Sequence, residues 1–128
     1  MRIIIAGGRE FNDYDLLKSE TIKCIKQLKQ EGFEVSAITI TIVCGKARGA
    51  DTLGENFGKE YGLNIKYFIP DWDGLGKSAG YRRNADMALY AKEDNGVLIS
   101  FWDKVSKGTK HMIDLANKHG LRVFVVNY

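Results

Sequence analysis

Four short stretches of this 128-residue chain bring together the residue types that hold phosphate: glycines, cations and hydroxyls. The first contains Gly7, Gly8, Arg9 and Phe11 in immediate succession around Glu10. Backbone N–H groups can approach an anion closely where glycines leave no side chain in the way. The second, residues 45–51, sets Lys46 and Arg48 between Gly45 and Gly49 and ends on Asp51. Arg48 with free backbone donors suits a phosphate, Asp51 can cap the next helix, and the plain alternative is a surface pair between Arg48 and Asp51. The third, residues 70–84, is fifteen residues long and carries Trp72, Lys77, Tyr81, Arg82, Arg83 and Asn84. Long connections in compact domains tend to be functional. Trp72 or Tyr81 can stack on a base, Asn84 can bond a sugar or base, and Arg82 at a helix start makes sense beside a bound anion. The fourth, residues 102–110, has Ser106, Lys107, Gly108 and Thr109 at the start of a helix, a second anion site, with Thr109 as the plain N-cap. Trp102 and Asp103 precede it and can flank a base or ribose.

Several chemistries are excluded or disfavoured by what is missing. The dinucleotide fingerprint G-x-G-x-x-G fails because no glycine follows Gly8 until Gly32. Gly76-Lys77-Ser78 imitates a Walker A ending, but the required first glycine is Asp71. Cys24 and Cys44 have no CxxC partner and read as small core residues, so neither a disulfide scaffold nor a zinc site is expected. His111 and His119 lack matching ligands, and Asp71 with Asp73 are two carboxylates only, so no metal is expected. No nucleophile elbow with serine, histidine and aspartate is present. If the chain catalyses anything, Asp71, Asp73 and Asp103 are the carboxylates available to it. No added cofactor is expected.

The elements that must position these stretches alternate along the chain. Near-continuous β-rich apolar runs at residues 2–6, 38–44, 65–69, 96–101 and 122–126 predict strands buried on both faces. Between them lie four helical patterns. Leu17, Thr21, Cys24, Ile25 and Leu28 share one face, with Asn12 or Asp13 as cap and Gly32 after the end. Leu53, Phe57 and Tyr61 recur every four residues, and Gly54 and Gly58 let that helix lie close to its sheet. The third and fourth helices are expected at about 80–91 and 109–119. This order predicts a single α/β domain over residues 1–128: a Rossmann-like, doubly wound, five-stranded parallel sheet. In such sheets ligands bind at the carboxyl ends of the strands. All four stretches fall there.

The composition is that of a globular domain, 45% hydrophobic and 27% charged. No run approaches the length of a membrane span, and no export signal is visible, so the expected compartment is the cytoplasm. The net charge is +3. The four stretches hold nine cations and six carboxylates, an excess equal to the whole net charge. That favours a small anionic ligand over a long polyanion, and single-stranded nucleic acid is the weaker reading.

Four motifs in order, A-G-G-R-E-F at 6–11, G-x-A-R-G-A-D at 45–51, D-W-D-x-x-G-K-x-A-G-x-x-R-N at 71–84 and W-D-x-x-S-x-G-T-x-x-M-I-D at 102–114, give the chain its resemblance. It resembles the YspA-like family of the SLOG superfamily, Rossmann-like proteins related to Smf/DprA and LOG that are common in bacteria and bacteriophages. The resemblance implies a pocket for a nucleotide-derived ligand, such as an ADP-ribose derivative or a cyclic nucleotide signal, that is sensed or sequestered. It also implies a setting in phage–host defence, in a bacterial or phage-infected cell, and a homo-oligomer. LOG relatives are nucleotide N-glycosidases (phosphoribohydrolases) with G-G-x-G-T-x-x-E, whose glutamate is catalytic; here Met112 stands at that position. Relatives also have Gly-Gly after the second strand, where this chain has Gly45-Lys46.

Overall fold

The computed structural model describes residues 1–128. Five strands form one parallel sheet in the order β3-β2-β1-β4-β5. Their spans are β1 Arg2–Gly7, β2 Thr41–Cys44, β3 Asn64–Tyr67, β4 Gly96–Trp102 and β5 Arg122–Asn127. The helices are α1 Tyr14–Gln30, α2 Ala50–Glu60, the single turn α3 Trp72–Leu75, α4 Ala79–Lys92 and α5 Lys107–Lys118. The predicted doubly wound sheet is the architecture found.

Alternation along the central strands sorts the core into two layers. Ile3 and Ile5 of β1, with Ile42, Val97, Ile99 and Phe101, face α1 and α2. Ile4 and Ala6, with Val43 and Leu98, face α4 and α5 through Met87, Ala88, Met112 and Ala116. Gly54 of α2 sits on Ile5, and a Cβ there would lie 2.7 Å from the isoleucine Cγ2. The close helix–sheet approach expected from this glycine is present.

The edges depart from the sequence reading. β3 is short and largely exposed rather than buried on both faces, because it has only one neighbour, β2. β2 begins at Thr41 rather than residue 38. Ile38 is at the tip of a turn closed by Ser36 and Thr39, each bonding the other's backbone N–H, so it is exposed despite its apolar character. The stretch 70–84 is not a loop throughout. Asp71 Oδ1 accepts from Gly74 N at 2.9 Å and starts α3, a 3₁₀ turn over Gly76–Ser78 follows, and α4 begins at Ala79. Arg82, Arg83 and Asn84 stand on that helix, as expected from the helix placed at about 80–91. The N-cap of α5 is Ser106 rather than Thr109, and α5 starts two residues earlier than the pattern suggested. At α1 the cap is Asp13, which accepts from Leu16 N.

At the switch point, β1 lies between β2 and β4, and the turn after it is held from both sides. Gly8 N–H donates to the Phe101 carbonyl, while the Gly8 carbonyl accepts from both Phe11 N–H and Ala50 N–H. Gly49 closes this contact at φ +78, where a Cβ would lie within 2.6 Å of the Gly8 and Arg9 backbone. The Gly49→Ala variant is expected to lose about 2–4 kcal/mol in urea unfolding, from backbone strain and the clash together. Gly32→Ala, at φ +100 but in open space, is the control and should lose only about 1–2 kcal/mol. Equal losses would show that the close contact carries no stability of its own.

Candidate functional site

A cavity of about 430 Å³ opens at the carboxyl ends of β1 and β4. Gly7, Gly8 and Arg9 contribute from the first stretch, Asp51 from α2, and Trp72 and Lys77 from the third. Asn84 comes from α4, and Asp103, Ser106, Gly108 and Thr109 from the last. Four separate stretches of sequence thus meet at one opening, because parallel strands deliver every βα connection to the same side of the sheet.

The remaining candidates stand elsewhere. Phe11 is buried between the rings of Phe101 and Tyr128, so it builds the wall from behind. Gly49 packs on the turn described above. Trp102 donates from Nε1 to the Ser106 carbonyl at 3.0 Å, fixing the entry to α5. Arg82 points outward and pairs with Asp86 at 3.2 Å. Lys107 is exposed in the first turn of α5. Asp71 caps α3, and neither it nor Asp73 lines the cavity. Arg48 pairs with Glu10 rather than Asp51. Lys46 pairs with Glu55 at 2.9 Å and lies 5.1 Å from the Tyr67 ring centre. Gly45 presents its carbonyl to Arg83 Nη1.

Arg83 is the main wall residue that the choice of Arg82 passed over. Ala79, Arg83 and Met87 recur at intervals of four, so Arg83 shares the inward face of α4, whereas Arg82 is turned away by one helical step. Arg83 Nε donates to Asn84 Oδ1 at 3.0 Å. The Asn84 amide in turn reaches the Gly108 carbonyl at 3.4 Å and His111 Nδ1 at 3.2 Å. This chain ties α4 to the start of α5 across the cavity floor. Burial lowers the pKa of His111, which suits a neutral ring accepting from Asn84. Glu10, Ala47, Tyr81 and Tyr128 also line the opening. Tyr128 had no signal in its neighbourhood; its place follows from β5 pairing, Trp102 with Asn127, and from stacking on Phe11. Met112, at the position of the LOG glutamate, is buried in the wall and brings no acid.

The groups able to hold an anion are concrete. Ser106 Oγ accepts from Thr109 N–H at 3.4 Å, and Lys110 N–H bonds the Ser106 carbonyl. The N–H groups of Lys107 and Gly108 donate to nothing within the chain. Two free amides at a helix start beside two hydroxyls form an acceptor-seeking cradle. Arg9 makes no hydrogen bond or ion pair, and Arg83 has no carboxylate within ion-pair distance. Asp103 is different: Val105 and Ser106 N–H both donate to it at 2.8 Å, which holds its pKa below the usual range and keeps it ionised.

Asp51 is the unusual titratable group. Only 4% exposed, its carboxyl is pushed up to about 6 by burial, against the opposing pull of Arg83, the Ala47 N–H and Arg9. Its Oδ2 accepts that N–H at 3.2 Å. It lies within α2 and does not cap it, the cap position being Gly49. Burial also pushes the thiols of Cys24 and Cys44 up to about 11, so both stay protonated at neutral pH.

The model of the family described as YAcAr (YspA, cpYpsA-related SLOG family) matches residues 1–74 of the chain. The Gene 61 protein of Mycobacterium phage D29 is 28% identical over 131 residues, covering 95% of this chain and 93% of that protein. No solved structure matches the chain significantly. No helix is long and apolar enough to cross a membrane.

A buried carboxyl with a raised pKa gives stability an unusual pH dependence. Between its unfolded value of 3.8 and about 6, the folded chain binds this proton more tightly than the unfolded chain does. The Asp51 contribution therefore improves as pH falls through that window and is a penalty above it. Asp51→Asn is expected to be more stable than the parent at pH 7, by up to about 3 kcal/mol, with the gap closing toward pH 4. Melting curves of both proteins at pH 7, 5.5 and 4 check this; a constant gap would contradict it.

Proposed function

Because the chain belongs to the YspA, cpYpsA-related SLOG family, we propose that the cavity at the carboxyl ends of β1 and β4 binds a nucleotide-derived small ligand. The observation that carries this reading is the convergence on one cavity of groups that can donate to an anion and pair with no carboxylate. The free Gly108 amide stands at one side, with the free Lys107 amide next to it in the chain, and Arg9 and Arg83 stand at the other. A phosphate on the α5 start would accept two amide hydrogen bonds and the Thr109 or Ser106 hydroxyl. Trp72, half-exposed at the rim, offers an aromatic face for a base, and Asn84 a fixed amide for a sugar or base edge. Lys77 at the rim adds an exposed cation. An ADP-ribose-type molecule or a cyclic nucleotide matches this combination of aromatic face and anion cradle.

Sensing or sequestration fits the side chains better than turnover. Asp103 is held ionised by two backbone amides, Asp71 and Asp73 lie outside the cavity, and Met112 is apolar. Asp51 is a wall carboxyl whose pKa, pushed up to about 6, suits proton transfer near neutrality, and it supports the second reading, a nucleotide N-glycosidase with Asp51 as acid. The relative in a Mycobacterium phage supports a phage setting, in which a bound signal nucleotide would act in phage–host defence.

Calorimetry with ADP-ribose, cyclic ADP-ribose isomers, NAD and cyclic dinucleotides tests the binding reading. At least one is expected to bind in the micromolar range or tighter, with Arg83→Gln weakening it by about tenfold or more, as for loss of a charged hydrogen-bond donor. Silence across the panel from a folded protein would remove the proposal. Chromatography of the same mixtures separates the two readings: an intact ligand supports sensing or sequestration, and free base supports hydrolysis.

A further inference from the structure

Beside the main cavity lies a second cleft of about 360 Å³, and its charge is one-sided. The main cavity is balanced, with Arg9, Lys77 and Arg83 against Glu10, Asp51 and Asp103. The cleft is lined by Arg9, Lys46, Arg48 and Arg83 with no carboxylate, closed by Pro70 and Trp72. Arg9, Arg83 and Trp72 belong to both walls, so the two openings are continuous. The cationic excess expected of the strand-end loops is therefore concentrated next to the main cavity rather than within it.

We propose that this cleft holds a second anionic group of the same ligand, so that the ligand class is a nucleotide with phosphates at two separated positions, such as a 5′-phosphorylated dinucleotide. This rests on the reading of the main cavity as a nucleotide site. The first phosphate belongs at the α5 start, beyond β4, and the cleft cations Lys46 and Arg48 follow β2. Two strand spacings, about 10 Å, separate those positions. A nucleoside monophosphate has one anionic end and cannot serve both.

Arg48 is available at little cost, and Lys46 at more, because the Glu55 carboxylate it pairs with is only 8% exposed. Arg48 is paired with Glu10, but both side chains are largely exposed, so the pair is weak and easily exchanged. Lys46 leaves Glu55 with two partners, Lys59 at 3.3 Å and Tyr67 at 2.6 Å. Lys46 also stands at φ +61, in the left-handed region that glycine occupies without strain. A lysine at such a position is strained backbone at the rim of the cleft it lines, while its ammonium rests on Glu55.

Titration calorimetry with AMP, 5′-phosphorylated diadenylate and inorganic tripolyphosphate tests this on the parent and on the Lys46→Gln/Arg48→Gln double variant, with Arg48→Gln alone as a second variant at an exposed site. Melting curves confirm that each is folded. The diadenylate is expected to bind the parent about tenfold tighter than AMP, and the double variant should lose most of that advantage while its AMP affinity changes less than about twofold. Equal binding of the two nucleotides by the parent overturns the second anion site and leaves the nucleotide reading standing. If neither nucleotide binds but tripolyphosphate does, and the variants weaken it, the anion cleft stands and the nucleotide reading falls. Tripolyphosphate that fails to bind, or binds parent and variants alike, overturns the cleft.

Discussion

The contact between the turn after β1 and its two neighbours decides where everything else in this protein can stand. One carbonyl, that of Gly8, accepts from Phe11 N–H and from Ala50 N–H, and the Gly8 N–H reaches back to Phe101. Three chain segments therefore meet with their backbones in contact, and only absent side chains permit it. A Cβ on Gly7 would lie 2.3 Å from the Phe101 carbonyl oxygen. The consequences run outward from there. The start of α2 is fixed against β1, which buries Asp51, and the turn directs Arg9 into the opening. Phe11, four residues beyond Gly7, is pinned beneath Tyr128 and closes the far wall.

The sheet and its switch point were legible in the sequence because buried parallel strands carry a signal in every residue. Ile3, Ile4 and Ile5 are apolar on both faces, and no other element has that pattern at that length. Edge strands carry half the signal, which is why Ile38 and Ile69, apolar but exposed, extended the expected β2 and β3 beyond their ends. The convergence of four loops was legible too, since it follows from topology alone. Which of two adjacent side chains turns inward was not settled by composition. For Arg82 and Arg83 helical phase settles it, through the interval of four from Ala79 to Met87. For Lys46 and Arg48 phase does not help: each turns toward a carboxylate supplied by another segment, Glu55 and Glu10. Tyr128 depended on β5 register, a long-range fact.

Burial and charge are divided between the two openings, and the division has a physical reason. The main cavity is walled by packed helices, where a cation needs polar partners to offset desolvation. Its lining carries as many carboxylates as cations, and Arg83, which pairs with none of them, is held by the Gly45 carbonyl and Asn84. The cleft is open to solvent, so its cations can remain charged at small cost and still attract an anion.

Asp51 sits where these two environments join. Its carboxyl feels Arg83 and Arg9, the two cations shared by both walls, and those same cations are what a bound phosphate would engage. A phosphate drawing on Arg83 and Arg9 adds a negative charge beside a carboxyl that burial has already brought to about 6. Both effects favour the protonated acid. Anion binding there and proton uptake at Asp51 would therefore be the same electrostatic event seen from two sides. Linkage requires that each strengthen the other. The buried acid would in this sense take part in holding an anion, even though it carries the same sign: as the neutral form it withdraws its claim on the arginines and would leave them to a phosphate.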